Sequence, residues 1–215
     1  YLKRDRMRWK GCTYLDVGTC TGRYPLSLSQ RKLIEPVEGL AIDADWGCAL
    51  RAETKLKHAG ISSIRATRRD LMDWDRADSE KFDLITCMLG TLSYFAASHN
   101  GARGVGRAIR TMSRLLKRNG VLFIGSWADA TKENRDFLSI YSDKTRRQLA
   151  QCTPRSRDVE RLIRAAGLSF DKYTVLERLH VYVCQKAKVR RTRRSIKTGQ
   201  PRRQTNGASS KRPRG

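Results

Sequence analysis

The sequence lacks several patterns that would decide its function at once. No apolar run approaches the roughly 20 residues that a membrane-spanning helix needs, so we expect no membrane segment. There is no Cys-x-x-Cys pair and the three histidines are isolated, so we expect no metal site. The Gly-Lys-Ser/Thr of a phosphate-binding loop is missing. So is the Gly-x-Gly-x-x-Gly of dinucleotide folds, which disfavours a nicotinamide oxidoreductase.

Acidic residues are absent from Lys186 to Gly215, a segment that holds 12 of the 45 Lys and Arg residues. Half of the net charge of +24 therefore lies there. The segment has almost no apolar residues, so burial cannot offset its ordering entropy, and we predict a disordered basic tail over 187–215. Its cations would neutralise phosphates without reading sequence, which predicts nonspecific nucleic-acid contact. A purely solubilising role is an equal alternative.

The rest of the chain has the composition of one folded domain. With 39% hydrophobic residues in 215, there is enough apolar material for a core. We predict a domain over 11–186, preceded by a basic lead-in over 1–10. The chain begins at Tyr1 rather than Met, from which we expect a missing N-terminal segment. Several of the six cysteines lie in apolar strand patterns, which indicates core residues in a reducing compartment, and we expect a cytoplasmic protein.

Apolar strand patterns alternate with helical patterns along this domain. The alternation predicts an α/β fold with a mainly parallel sheet covered on both faces, ending in an antiparallel pair. Asp45 is predicted to cap a helix that Gly60 ends. The clearest helix has arginines opposite its apolar face, at positions 107, 110, 114 and 118. The predicted strands are 12–17, 37–43, 61–66, 82–88, 121–127, 169–176 and 179–186. The predicted helices are 22–33, 46–58, 105–118 and 156–166.

One stretch points to a ligand. The apolar run that begins at Tyr14 ends in Asp16, and the small-residue turn Gly18-Thr19-Cys20-Thr21-Gly22 follows at once. A second acid, Asp43, closes the next apolar run. Glycines let the backbone approach a ligand, the helix start offers free N–H groups, and an acid on the second strand can accept both ribose hydroxyls. The spacing therefore predicts a nucleoside-containing cofactor.

The segment from Tyr14 to Arg23 resembles motif I of class I S-adenosylmethionine-dependent methyltransferases, usually written Asp-x-Gly-x-Gly-x-Gly. Ile42-Asp43, Arg69-Asp70-Leu71, the strand ending at Cys87, and the helix, Gly turn and strand from 115 to 124 resemble later parts of the same family. Ala165 to Leu168 resembles its C-terminal end. The resemblance covers roughly 11–186 and implies a Rossmann-like, doubly wound, mainly parallel seven-stranded sheet with an antiparallel C-terminal strand. It implies S-adenosyl-L-methionine as the cofactor.

The resemblance also implies roles for individual residues. Asp16 would help orient the amino-acid end of the donor, Asp43 would hold the ribose, and Asp70 would hold the adenine amino group. The other implied donor-site residues are Gly18, Thr19, Cys20, Gly22, Ala44, Leu71 and Cys87. Cys20 departs from the family, which usually has glycine there, and a left-handed backbone would be strained by its Cβ.

The same resemblance implies that residues 88–95 and 126–127 face the methyl acceptor, which would be a small molecule or RNA. The catalytic residue is unknown, and Tyr94 and His99 are the candidates for a general base. The competing function is that of a catalytically silent nucleic-acid-binding protein that retains the methyltransferase fold.

Overall fold

A computed structural model describes residues 2–3, 6–74, 77, 79–88, 90–127, 152–175 and 179–187. The predicted basic tail beyond Ala187 and the segment 128–151 lie outside these residues.

Seven strands and five α-helices make up the described part of the chain, with short 3₁₀ turns at Arg6–Trp9 and Leu71–Asp73. The strands are β1 (Thr13–Val17), β2 (Glu38–Asp43), β3 (Ile64–Arg68), β4 (Phe82–Cys87), β5 (Leu116–Trp127), β6 (Leu168–Val175) and β7 (Leu179–Lys186). The helices are α1 (Arg23–Gln30), α2 (Trp46–His58), α3 (Thr91–Ser98), α4 (Ala102–Leu115) and α5 (Ser156–Ala165).

The strands form one sheet in the order β3-β2-β1-β4-β5-β7-β6. The pairs among β1 to β5 are parallel, whereas β7 runs antiparallel to both β5 and β6. This confirms the predicted seven-stranded, mainly parallel sheet with an antiparallel C-terminal strand. The chain order reverses between β1 and β4, which is where open α/β sheets bind ligands beyond the carboxyl ends of their strands.

Helices cover both faces of the sheet because successive strand residues point to opposite sides. Leu15 and Ile85 join one buried cluster with residues of α3, α4 and α5, while Tyr14 and Leu84 join a second with residues of α1 and α2. The two clusters place the core on both faces, as a doubly wound fold requires.

Local signals predicted the second helix well. Asp45 caps α2, its Oδ1 accepting from the Cys48 N–H at 2.6 Å, and Gly60 follows the helix with a φ of +70°.

The prediction of a helix over 105–118 was wrong at both ends, since α4 covers Ala102–Leu115. Leu116 pairs with Phe82 and begins β5, so Arg118 lies on a strand and not on the arginine face of the helix. The first helix is shorter than predicted, β3 starts three residues later than expected, and α3 was not predicted.

None of the described helices is both long and apolar enough to cross a membrane. Within the described ranges, no group of three or more His, Cys, Asp or Glu side chains is arranged to hold a metal ion.

Candidate functional site

The loop between β1 and α1 is fastened to the end of β2. The N–H groups of Gly18 and Thr19 both donate to the carbonyl of Ile42 at 2.9 Å, and the N–H of Gly22 donates to the carbonyl of Thr19 at 2.9 Å. Gly18 and Gly22 have φ values of +68° and +72°, which favour glycine. The sequence therefore folds into a tight loop at the switch point of the sheet, which is where open α/β sheets bind ligands.

Close packing also requires these two glycines. A Cβ on Gly18 would overlap the Cγ2 of Thr91 and lie 2.6 Å from its Oγ1, while a Cβ on Gly22 would lie 3.0 Å from the Cβ of Ala52. The loop thus sits directly against the starts of α3 and the middle of α2.

Asp43 links the loop to α2. Its Oδ2 accepts from the Cys20 N–H at 2.8 Å, and its Oδ1 accepts from the Asp45 N–H at 2.9 Å. Each carboxylate oxygen has two lone pairs, so both retain capacity to accept a ligand hydroxyl. The neighbouring Ala44 is exposed, and its carbonyl accepts from the Arg68 Nε at 3.3 Å.

Asp16 is a buried carboxylate, with 2% of its surface exposed. Thr86 Oγ1 donates to Asp16 Oδ1 at 2.5 Å, so the Tyr14 hydroxyl, 2.8 Å from Thr86 Oγ1, donates to Thr86 in turn. Asp16 Oδ2 has no hydrogen-bond partner among the described residues. Burial raises the pKa of Asp16 to about 6, and the neighbouring hydroxyl groups of Thr86, Thr19 and Tyr14 offset part of that rise.

The loop after β3 holds the third acid. Asp70 Oδ1 accepts from the Met72 N–H at 2.8 Å and caps the 3₁₀ turn that begins at Leu71. The Leu71 side chain is buried in the core. Asp70 Oδ2 lies 3.5 Å from the Nε2 of His99, at the end of α3. The structure therefore brings His99 to the acid that the resemblance assigns to adenine.

Tyr94 and His99 occupy different kinds of position, since Tyr94 lies within α3 and His99 is the residue that follows the helix. The Tyr94 side chain is 42% exposed, whereas His99 is half-buried beside Asp70.

The ends of β4 and β5 form the other side of the site. Cys87 is fully buried, and burial raises the pKa of its thiol well above the usual range. Gly90 has a φ of +85°, and a Cβ there would overlap the Nε1 of Trp127. Ser126 is buried, and its Oγ has no hydrogen-bond partner in the described part of the chain.

Sequence reasoning missed the Tyr14–Thr86 relay and the pair Cys20–Cys48, whose sulfurs lie 3.8 Å apart. Thr86 is the one polar residue in the buried run 84–87 of β4, and that is a signal that a polar partner lies opposite.

Comparisons with known proteins agree with this architecture. Residues 15–120 match the family model described as a methyltransferase domain. No curated protein sequence gives a significant match. A SAM-dependent methyltransferase from Aquifex aeolicus is 16% identical with a TM-score of 0.65, covering 86% of this chain and 88% of that one. An S-adenosylmethionine-dependent methyltransferase from Clostridium acetobutylicum is 16% identical with a TM-score of 0.60, covering 81% and 84%.

A third similar solved structure has a different named activity. The [4+2]-cyclase SpnF is 16% identical with a TM-score of 0.66, covering 86% of this chain and 78% of that one. Structural likeness at such identity shows the fold, so the class rests on the domain match together with the architecture. Residues 15–120 thus belong to the methyltransferase domain family, and the chain has the fold of S-adenosylmethionine-dependent methyltransferases.

Proposed function

We propose that S-adenosyl-L-methionine binds across the carboxyl ends of β1 and β2 and along the loop after β3. Asp16 takes the amino-acid end, Asp43 the ribose and Asp70 the adenine, as the family resemblance implies. The backbone of the glycine loop passes beneath the donor. The remaining residues proposed to line this site are Gly18, Thr19, Cys20, Gly22, Ala44, Leu71 and Cys87.

The unpartnered oxygen of Asp16 is the observation that carries this proposal. A buried polar atom in a native protein nearly always has a partner, and Asp16 Oδ2 has none among the described residues. A buried carboxylate is costly unless a cation or a hydrogen-bond donor compensates its charge. The amino group of S-adenosylmethionine is both a cation and a hydrogen-bond donor, so the residues present fit this cofactor.

The relay on β1 and β4 prepares this carboxylate. The Tyr14 hydroxyl donates to Thr86 Oγ1, which in turn donates to Asp16 Oδ1. That leaves Asp16 Oδ2 as the atom that meets the ligand, and the relay fixes its orientation. The chain's own contribution here is positioning, which is the main source of rate in a one-step displacement.

The bound donor supplies a methyl group that its sulfonium already activates. The residues around it orient the acceptor, exclude water and take up a proton only where the acceptor carries one. We propose residues 88–95 and 126–127 for the acceptor side. The buried hydroxyl of Ser126 is available to orient an acceptor, and Tyr94 and His99 remain the candidates for a base.

Tyr94 lies within residues 88–95, which we propose for the acceptor side, so we favour it over His99 for that role. His99 Nε2 instead lies 3.5 Å from Asp70 Oδ2, on the adenine side of the proposed donor site. Tyr94 is exposed on α3 and would need to approach the acceptor.

We further propose that the methyltransferase domain spans 11–186 and that the basic segment 187–215 contacts polyanions. Neither the domain bounds nor the basic segment determines whether the acceptor is a small molecule or RNA. About ten cations on the segment would give a salt slope as steep as roughly −0.7 per neutralised phosphate on single strands. Deleting 187–215 should flatten that slope and leave donor affinity unchanged; an unchanged slope would contradict this assignment.

The test of function has two arms. Calorimetry with S-adenosylhomocysteine should give saturable binding that the Asp16→Asn variant weakens. Labelled methyl from the donor should then appear in one of three fractions: total RNA, protein or small molecules. No binding at millimolar ligand would contradict the donor site. Binding without transfer into any fraction would favour the catalytically silent alternative.

A further inference from the structure

Two cysteines meet at the donor loop. Cys48 Sγ lies 3.8 Å from Cys20 Sγ, and both thiols are free. Cys20 is exposed and Cys48 is partly buried, whereas three other cysteines are closed off from solvent. Those three are Cys12, Cys87 and Cys184. The pair is therefore the place in the described chain where two accessible thiols lie within reach of each other.

Both thiols flank the carboxylate proposed to hold the ribose. The N–H of Cys20 donates to Asp43 Oδ2 at 2.8 Å, and Cys48 lies in the first turn of α2, which begins three residues after Asp43. A disulfide has an S–S length of about 2 Å, so the sulfurs must approach by a little under 2 Å. An exposed side chain such as Cys20 moves that far by rotating about χ1, with a small shift of its loop.

The backbone of Cys20 is already unusual. Its φ is +49°, in the left-handed region where a residue with a Cβ is disfavoured by about 1–2 kcal/mol. Such positions concentrate at functional sites, where the surrounding structure holds them in place. Here the constraint presents a thiol, where the related family has glycine, directly beside a second one.

We propose that Cys20 and Cys48 form a reversible disulfide that lowers affinity for the donor, an inference that rests on the proposed donor site. The oxidant is a low-molecular-weight disulfide. Cys20, being exposed, attacks one of its sulfurs and releases the first small thiol. Cys48 then attacks the Cys20 sulfur, forming the internal bond and releasing the second small thiol. The small disulfide is reduced by two electrons as the two cysteines are oxidised.

Arg51 assists the second step. Its NH2 group donates to Cys48 Sγ at 3.5 Å and stabilises the thiolate that attacks. Burial raises the pKa of Cys48 to about 11, and this hydrogen bond partly opposes that rise. Cys48 is consequently a slow first nucleophile, but it is well placed to resolve a mixed disulfide on its neighbour.

The bond would weaken donor binding because it pulls the loop towards α2. The Cys20 N–H and the Asp43 carboxylate would have to shift together, and the ribose contact depends on that carboxylate. The change is also reversible, since a dithiol reductant restores both thiols.

The experiment compares the full chain before and after treatment with oxidised glutathione. Peptide mapping by mass spectrometry should show one crosslink between the Cys20 and Cys48 peptides, with no glutathione retained. Affinity for S-adenosylhomocysteine should fall at least tenfold and return with dithiothreitol. Cys48→Ser should instead retain glutathione on Cys20. The matched control Cys152→Ser, at a partly buried cysteine outside the pair, should respond like the native chain.

Two results would overturn the inference. One is stable glutathione on Cys20 of the native chain without a crosslink. The other is a crosslinked protein that binds S-adenosylhomocysteine as tightly as the reduced one. If the reduced chain binds none of this ligand while the crosslink still forms, the donor site is contradicted and the proposed effect of the disulfide fails with it. The chemistry of the pair would stand, so the two failures are distinguishable.

Discussion

The proposed donor side and the proposed acceptor side of this site are held together by different contacts. On the donor side, N–H groups of the loop donate to Ile42 and Asp43 at the end of β2, and Asp16 near the end of β1 accepts from Thr86 on β4. On the acceptor side, the ends of β4 and β5 meet through the close contact of Gly90 with the Trp127 indole. We therefore expect the loss of a carboxylate to act mainly on the proposed donor side, and an added methyl group at Gly90 to act mainly on the proposed acceptor side.

The largest expected effect is on the donor side, at Asp43. Asp43→Ala should weaken S-adenosylhomocysteine binding by roughly 30- to 150-fold, equivalent to roughly 2–3 kcal/mol, because two ribose hydrogen bonds are lost. It also removes the acceptors of the Cys20 and Asp45 N–H groups, so melting temperature should fall as well. Calorimetry and thermal melts measure the two effects.

Asp45→Ala is the control for this variant. It removes the cap of α2 and should cost about 1 kcal/mol of stability, with donor affinity changed by less than about threefold, an energy under 1 kcal/mol. If it weakens binding as much as Asp43→Ala, the loss comes from the loop and not from the ribose contact.

Asp16→Asn should move stability and affinity in opposite directions. A charge-assisted hydrogen bond contributes about 1.5–3 kcal/mol, so donor affinity should fall about 10- to 150-fold. The free protein should gain about 1–2 kcal/mol at pH 7.5, because the buried charge is removed while the new amide leaves an unpaired N–H. Denaturant unfolding and calorimetry measure the pair. If the variant loses both stability and donor affinity, or gains both, the proposed role of Asp16 is contradicted.

The pH dependence gives an independent check on the same carboxylate. Its pKa of about 6 in the folded protein lies above the ordinary value of 3.8, so ionisation of Asp16 destabilises the folded state above pH 6. That penalty disappears as pH falls towards 3.8. The stability advantage of Asp16→Asn should therefore shrink between pH 7 and 4. Donor affinity of the native chain should weaken below pH 6, as Asp16 becomes neutral, and the variant should show neither trend.

On the acceptor side, Gly90→Ala should slow methyl transfer about tenfold, an energy of about 1.4 kcal/mol, while donor affinity stays within about twofold. The added Cβ overlaps the Trp127 Nε1, so the indole must move. Single-turnover transfer and calorimetry separate the two quantities. Trp127→Phe in the same chain should restore part of the rate. A variant that loses donor affinity instead would show that the two sides are not independent.

The smallest expected effect is at Cys20. Cys20→Gly should relieve the left-handed strain, partly offset by the extra freedom of the unfolded chain, for a gain of up to about 1 kcal/mol. That corresponds to a rise in melting temperature of about 2–4 °C. Cys20→Ala keeps the Cβ and loses only the thiol, so it should show no gain. A gain of the same size in both variants would point to the thiol rather than the backbone.

Helix bounds that depend on nearby capping residues could be predicted closely from the sequence. The bounds of α2 follow from Asp45 and Gly60, which act within a few residues. The start of β5 could not be found in this way, because it depends on the pairing of Leu116 with Phe82 across the sheet. Helix α3 has five buried residues out of eight and lacks a polar face, so no helical period marks it.

The candidate site also contains features that the sequence predicted and features that depend on the tertiary fold. Acids at the ends of apolar runs were visible in the sequence, since strand ends and glycine turns leave a local pattern. The relay from Tyr14 to Thr86 joins residues 72 positions apart, and it depends on the register of β1 against β4. The Cys20–Cys48 contact likewise depends on how the loop folds over the start of α2, which composition and spacing do not encode.

The position of β7 has a consequence for synthesis. The last strand of the described chain does not add to an edge but inserts between β5 and β6. While the chain is still emerging from the ribosome, β5 presents an unpaired row of N–H and C=O groups until residues 179–186 arrive. Such an edge is a template for pairing with another nascent chain. Every residue proposed to bind the donor precedes β7 in the sequence. The proposed cofactor site is therefore synthesised while the edge of β5 is still unpaired and open to aggregation.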